Sequence, residues 1–222
     1  MAEGNGKALL DRVAVVTGGN RGIGAAISKR LAAGGANVVL TYRNDADKAN
    51  AVADAIRADG GTAEARQLDA GDIAMGRQLV DDVAGQFGKV DILVNNAGVL
   101  DGGDITVATP EQFDNTMNVN VRGVYFLIKA ALQHMPEGGR IVNIVSIFGE
   151  SVPYPGIDLY CISKFAVAGM TRALARDLGP NGITVNCVQP GPIDTDMNPA
   201  DGDLAQAMTP RSPERDRHPK GS

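Results

Sequence analysis

Short apolar runs alternate with longer amphipathic stretches from residue 12 to residue 189. Arg12–Thr17 (RVAVVT) is a nearly unbroken apolar run that ends in glycines, the pattern of a strand buried on both faces. Gly22–Ala33 carries its apolar positions at the 3.6-residue spacing of a helix and stops at Gly34-Gly35. Asn37–Tyr42 (NVVLTY) predicts a second strand. Ala46–Asp59 predicts a second helix, with Asp45 as its cap and Gly60-Gly61 as its end. A strand over Thr62–Leu68, a helix over Ile73–Phe87 and a strand over Asp91–Val94 follow. A loop then runs to Pro110, whose fixed φ suits a helix start. Further on come helical stretches near Glu111–Asn118 and Val119–Met135, a strand over Arg140–Ser146, a long helix over Leu159–Leu178 that ends before Gly179-Pro180, and a last strand over Ile183–Gln189.

Strands and helices that alternate at this spacing predict βαβ units, hence an α/β fold with a parallel sheet covered on both faces. Neither an internal repeat nor an interdomain linker interrupts the pattern. Residues 1–208 read as one domain. The tail, Thr209–Ser222 (TPRSPERDRHPKGS), holds three prolines and no Val, Ile, Leu or Phe. It lacks the apolar surface to offset the entropy of ordering and is expected to be disordered.

Composition narrows the function classes. The chain has 222 residues, 44% hydrophobic and 21% charged, as in ordinary soluble globular domains. The net charge of −5 argues against an electrostatic nucleic-acid surface, and the absence of Trp argues against a stacking platform. No apolar run is long enough to span a bilayer, and Met1–Leu10 lacks the features of a signal peptide. Cys161 and Cys187 have no metal-ligand spacing and read as reduced thiols of a cytoplasmic protein. No metal site is expected.

The chemistry begins at Thr17-Gly18-Gly19-Asn20-Arg21-Gly22-Ile23-Gly24, between the first strand and the first helix. Gly18 permits a tight turn, while Gly22 and Gly24 let the backbone approach a phosphate and the sheet. The helix N-terminus would then face a pyrophosphate. A glycine-rich turn alone is weak evidence, but this one sits in the strand–turn–helix context that a dinucleotide site requires. At the end of the second strand, where NAD enzymes tend to place a carboxylate for the ribose 2′-OH, the chain reads Thr41-Tyr42-Arg43-Asn44. Arg43, with Arg21 in the turn, would pair with a 2′-phosphate, so NADP(H) is expected over NAD(H).

Tyr160 and Lys164 lie four apart on one helix face. A nearby ammonium favours phenolate, which predicts a Tyr160 acidic enough for proton transfer near neutral pH. Lys164 would also reach the cofactor ribose, and Ser146 would hydrogen-bond a substrate oxygen. Taken alone, such a Tyr-Lys pair is more often plain helix surface. Here it occurs in one order with the glycine turn, Asn95-Asn96-Ala97-Gly98, Asn120 within Val119-Asn120-Val121-Arg122-Gly123, Ser146 and Pro190-Gly191.

This order, over about Leu10 to Met208, resembles the short-chain dehydrogenase/reductases, and within them most the 3-oxoacyl-[acyl-carrier-protein] reductases and the fungal naphthol reductases. The resemblance implies a Rossmann-type doubly wound sheet and a catalytic tetrad of Asn120, Ser146, Tyr160 and Lys164. Tyr160 would pass a proton to a carbonyl oxygen that Ser146 orients, Lys164 would bind the ribose and keep Tyr160 acidic, and Asn120 would hold a water leading from Lys164 to solvent. The implied cofactor contacts are Gly18, Asn20, Arg21, Gly22, Ile23, Gly24, Tyr42, Arg43, Asn44, Asp69 and Ala70 on the adenosine and pyrophosphate side, with Asn96, Ala97 and Gly98 beside them. Tyr160, Lys164, Pro190, Gly191, Ile193 and Thr195 would lie toward the nicotinamide. The implied activity is reduction of a ketone, 3-oxoacyl or another apolar carbonyl, to a secondary alcohol, or the reverse. The substrate pocket would be lined near Leu100, Ile147, Phe148, Tyr154 and Met197–Met208.

Two departures matter. Val145 stands where many members carry a second serine, which leaves Ser146 as the catalytic match. Family chains also continue past Thr195-Asp196-Met197 to a final sheet strand, whereas this chain turns into the polar tail. The C-terminal strand is therefore expected to be missing, with Ile183–Gln189 an exposed edge and the homodimer or homotetramer contacts weakened. An alternative follows, a catalytically silent nucleotide-binding protein.

Overall fold

The computed structural model describes residues 7–101, 104–152, 154–195 and 199. Six strands form one sheet: β1 (Val13–Val16), β2 (Asn37–Tyr42), β3 (Thr62–Gln67), β4 (Ile92–Asn95), β5 (Arg140–Ile144) and β6 (Thr184–Val188). Their order is β3-β2-β1-β4-β5-β6, and every pairing is parallel. Between them run the helices α1 (Gly22–Ala33), α2 (Ala46–Ala58), α3 (Ile73–Phe87), α4 (Pro110–Met117), α5 (Val124–Ala131) and α6 (Asp158–Leu178). This is the doubly wound Rossmann-type fold, with the direction of winding reversing between β1 and β4.

Side-chain alternation along the strands sorts the core into two layers. Val13, Val15, Val39, Leu93, Ile141 and Val185 pack toward α3 and α5. Their neighbours Ala14, Val16, Val38, Leu40, Ile92 and Val94 pack toward α1 and α2. Strands buried on both faces need apolar residues at every position, which is why these segments read as continuous runs. Each fully buried Val or Leu contributes about 1.5–3 kcal/mol of transfer free energy.

The helix starts are chemically defined. Asp45, Asp72 and Thr109 each accept a hydrogen bond from an amide in the first turn of α2, α3 and α4, and Thr109 with Gln112 completes a capping box. The two helical stretches after Pro110 are joined by a wide π turn over Asn118–Gly123. The second stretch stops at Ala131, short of Met135. Pro136 disfavours helix in the residue before it, and the His134 carbonyl accepts from the Val90 amide at 3.0 Å.

β4 begins at Ile92, one residue later than its sequence suggests, although the Asp91 amide still donates to the Val13 carbonyl and its carbonyl accepts from the Arg140 amide; Asp91 also bonds through its side chain. Its buried carboxylate accepts from Arg12 Nη1 at 2.7 Å and from the Val13 amide at 2.8 Å, and pairs with Lys89 at 3.1 Å. Desolvation raises its pKa, but these donors outweigh that, and the net position is below the ordinary value of 3.8. Within the described residues β6 is the outer strand, with Thr184, Asn186 and Val188 exposed. The expected absence of a further strand, and the expected tail over 209–222, lie outside the described residues.

A carboxylate with a lowered folded pKa stabilises the fold above its unfolded pKa and loses that contribution as pH falls through the folded value. Asp91→Asn should therefore lower stability near pH 7 by about 2 kcal/mol. It should also flatten the parent's loss of stability below pH ~4. Urea unfolding of both proteins at pH 7 and pH 3 checks this, and equal midpoints at pH 7 would show that the ion cluster is energetically neutral.

Candidate active site

A cleft of about 480 Å³ opens at the carboxyl ends of the strands, over the switch between β1 and β4. Its floor is the turn from β1 into α1. The Thr17 hydroxyl accepts from the amides of both Asn96 and Ala97 at 2.9 Å, and Asn96 Nδ2 donates to the carbonyls of Thr17 at 2.9 Å and Gly18 at 3.1 Å. Thr41 holds the other side, through its hydroxyl to the Gly18 amide at 3.2 Å and its carbonyl to the Gly19 amide at 2.8 Å. Gly18 has φ +63°, and a Cβ on Gly24 would collide with the Gly18 carbonyl and come within 2.5 Å of Asn96 Nδ2. Only glycine at both positions lets the turn close this tightly.

No side chain caps α1, and its first helical hydrogen bond runs from the Ala25 amide to the Arg21 carbonyl. The amides of Gly22, Ile23 and Gly24 have no helical acceptor there, and no acidic residue lies in the first turn. That is the donor set an anion needs. Tyr42, Arg43 and Asn44 line the cleft beyond the end of β2, with Asn20 and Arg21 in the turn opposite. Asp69, whose carboxylate accepts from the Gly71 amide at 2.9 Å, and Ala70 border the same end.

The far end of the cleft gathers a hydroxyl, a phenol and an amine. Ser146 is buried beyond β5, and its hydroxyl accepts from the Phe148 amide at 3.2 Å. Tyr160 and Lys164 project from α6, one turn apart, with Lys164 Nζ 5.3 Å from the Tyr160 ring centroid. Lys164 is buried, donates to the Ile144 carbonyl at 3.1 Å, and is pushed down by desolvation to about 8. Burial pushes the Tyr160 phenol above its ordinary value of 10.0, and a hydrogen bond with Ser146 offsets this only in part. The sequence predicts the opposite direction for Tyr160. The ammonium lies over the ring and bonds a main-chain carbonyl, so burial governs the phenol.

All the residues expected to hold a dinucleotide line this one cleft: Gly18, Asn20, Arg21, Gly22, Ile23, Gly24, Tyr42, Arg43, Asn44, Asp69, Ala70, Asn96, Ala97, Gly98, Tyr160, Lys164, Pro190, Gly191, Ile193 and Thr195. Ser146 lines it too, as do Leu100, Ile147 and Phe148. Asn120 does not. It is buried behind the cleft in the π turn, where its side chain bonds the Val99 amide and carbonyl at 2.9 Å each and Ser163 Oγ at 3.0 Å. Its side-chain amide thus makes three hydrogen bonds within the protein, which tie the residues after β4 to α6. Tyr154 lies outside the lining, stacked edge-on against Phe148, and Met197–Met208 lies outside the described residues. Sequence reasoning missed Lys48, which lines the adenosine end and pairs with Asp45 at 3.8 Å. Its position in the first turn of α2, five residues after Arg43, was the available signal.

Comparison with known proteins places this geometry. A family model described as short chain dehydrogenase matches residues 12–204. The chain belongs to the short-chain dehydrogenase family. It is 44% identical over 186 residues to Elsinochrome reductase 1 of Elsinoe fawcettii, an alignment covering 84% of this chain and 70% of the relative. It is 42% identical over 201 residues to the cyclic-di-GMP-binding biofilm dispersal mediator protein of Escherichia coli strain K12, covering 90% of this chain and 81% of that one. A crystal structure of a short chain dehydrogenase from Burkholderia cenocepacia J2315 in complex with NADP superposes with a TM-score of 0.88 at 53% identity, over 90% of this chain and 82% of that chain.

The burial of Lys164 is directly measurable. Below pH ~8 the side chain is a buried ammonium, and above it a neutral amine; folding expels its proton between about 8 and the ordinary value of 10.5, so this group costs the fold less as pH rises through that window. Competitive amine labelling with mass-spectrometric readout should give Lys164 an apparent pKa near 8, and a value near that of the surface lysines would contradict it.

Proposed function

We propose that this short-chain dehydrogenase is an NADP(H)-dependent oxidoreductase that interconverts a ketone and a secondary alcohol, with Tyr160 as proton donor and acceptor. The single observation that carries this reading is the convergence of two built sites in one cleft. An anion cradle lies at one end, formed by Gly18, Gly22, Gly24 and the uncapped start of α1. Ser146, Tyr160 and Lys164 lie at the other. The residues present fit a dinucleotide, because the turn leaves the amides of Gly22, Ile23 and Gly24 without a helical acceptor, a capping side chain or an acidic neighbour in the first turn. The cofactor is NADP(H): Arg21 and Arg43 border the adenosine end, and the Burkholderia relative was solved in complex with NADP. When bound, the nicotinamide supplies or receives the hydride.

The chain's own residues do the rest. The uncapped amides of α1 and the Asn96-braced turn hold the pyrophosphate, while Arg43 and Arg21 pair with the 2′-phosphate. Lys164 holds the ribose hydroxyls and keeps a positive charge beneath the reacting oxygen. The Ser146 hydroxyl orients the substrate carbonyl. Tyr160 gives that oxygen its proton in reduction and takes it back in oxidation. A buried phenol with a raised pKa stays protonated at neutral pH, which suits the reductive direction. Leu100, Ile147 and Phe148 line the substrate end, and Ile193 lies at its exposed margin. These apolar walls favour a 3-oxoacyl chain or another apolar carbonyl over a sugar.

A second reading, a nucleotide-binding protein without turnover, is favoured by the similarity to the cyclic-di-GMP-binding E. coli relative. The chain has no tryptophan, so the emission of the reduced nicotinamide itself reports binding. Titration should give tighter binding of NADPH than of NADH by tenfold or more. Tight competition by cyclic-di-GMP, with no reduction of any of a panel of aliphatic and bicyclic aromatic ketones, would establish the second reading instead. With an active ketone in hand, Tyr160→Phe should lower kcat by at least about a thousandfold while leaving the Kd for NADPH within twofold. Turnover that persists in this variant removes Tyr160 from the mechanism.

A further inference from the structure

Ile147–Gly149 forms a short 3-10 turn between β5 and the loop that leads to α6. Its place is tightly constrained. A Cβ on Gly149 would lie 2.8 Å from Val145 Cγ1 and 3.1 Å from the Lys164 carbonyl oxygen, so the turn sits directly against α6. Phe148, the middle residue, is only 5% exposed although it lines the cleft. Its amide donates to the Ser146 hydroxyl at 3.2 Å. Its ring meets the Tyr160 ring edge to face, with centroids 6.2 Å apart and planes at 84°. The ring also meets the Tyr154 ring in the same manner, at 5.8 Å and 88°. Ile157 and Cys161 complete the packing around the three rings.

We propose that Phe148 is a positioning residue for proton transfer, its main chain aiming the Ser146 hydroxyl and its ring, backed by Tyr154, fixing the Tyr160 phenol. The proposal rests on the assignment of Tyr160 and Ser146 to the reaction. It moves Phe148 from the substrate wall to the support of the two reacting side chains. The physical case is one of geometry. Phe148 is a single rigid residue that touches both the serine and the tyrosine, so it couples their positions more tightly than two independent neighbours would. Edge-to-face pairs favour one ring orientation over free rotation about the side-chain torsions. The raised phenol pKa is consistent with this packing, since the same ring keeps water from Tyr160. Misplacement of a reacting group by as little as about 1 Å can cost a hundredfold in rate.

The test compares Phe148→Leu, which keeps apolar volume but removes the ring, with Phe148→Tyr, which keeps the ring. Three quantities are read in the full chain: kcat for the ketone that the parent reduces, Kd for NADPH, and the Tyr160 signal in protein carrying carbon-13 at the tyrosine ring carbon bonded to oxygen. That signal is assigned by its loss in Tyr160→Phe. Phe148→Leu should lower kcat by tenfold to a hundredfold, keep the Kd within twofold, and shift the Tyr160 signal and its titration; Phe148→Tyr should restore most of the rate. Parental kcat in Phe148→Leu overturns the proposal, as does an unmoved Tyr160 signal. So does a loss shared equally by kcat and NADPH binding, which would mark a merely structural residue. A parent that binds NADPH and reduces no ketone overturns the functional reading, and the proposal with it.

Discussion

The ends of β1 and β4 are tied together by Thr17 and Asn96, and the cleft depends on that tie. One hydroxyl accepts two amides from the neighbouring strand's exit, and one side-chain amide returns two hydrogen bonds to the turn. The backbone is thereby held open where the winding of the sheet reverses, and the start of α1 is aimed across the gap. Polar groups at such a place must be satisfied, because an unpaired buried donor or acceptor costs about 1–3 kcal/mol. The tie satisfies them with protein atoms and leaves the uncapped amides of α1 as the donors that remain for a ligand. The glycines follow from this geometry, since the close approach of Gly24 to the Gly18 carbonyl leaves no space for a side chain.

The opposite end of the cleft is governed by burial. Lys164 has lost most of its water, and the Ile144 carbonyl is the hydrogen-bond acceptor that anchors it. Its charge is therefore costly, and desolvation brings its pKa down to about 8. The phenol of Tyr160 is driven in the other direction by the same cause, toward the protonated form. Burial thus favours the neutral form of both groups. A buried polar chain runs behind them. Asn95 Nδ2 donates to Asn143 Oδ1 at 2.8 Å, and Asn143 Nδ2 donates to Thr171 Oγ1 at 2.9 Å, so β4, β5 and α6 are pinned in register.

Most of the fold was legible because each element declared itself locally. β1, β2 and β4 are short runs of Val, Ile and Leu with glycine or charge at their ends. α1 and α3 have the bounds that their periodicity predicts, and α2 starts at its expected cap, Asp45. Two features stayed hidden. Asp91 reads as the first residue of an apolar strand, and only the fold brings its carboxylate to Arg12, 79 residues away. The helix after Pro110 reads as two pieces, but a π turn is a matter of hydrogen-bond pairing, and no residue type signals it.

The candidate site was legible as a set of residues and illegible as a set of states. Order and spacing along the chain were enough to collect Gly18, Gly24, Arg43, Ser146, Tyr160 and Lys164, because each occupies a strand end or a helix start that the fold must bring to the same edge. The sequence by itself thus determined the architecture, the glycine turn of the cleft and the pairing of Tyr160 with Lys164 on one helix face. Only the tertiary structure decided that Asn120 is withdrawn behind the cleft with its amide engaged, that burial raises the Tyr160 phenol, and that Phe148 stands between Ser146 and Tyr160. The reason is range. Periodicity and capping act over a few residues, whereas desolvation and hydrogen-bond partnership depend on which distant side chains fill the same volume.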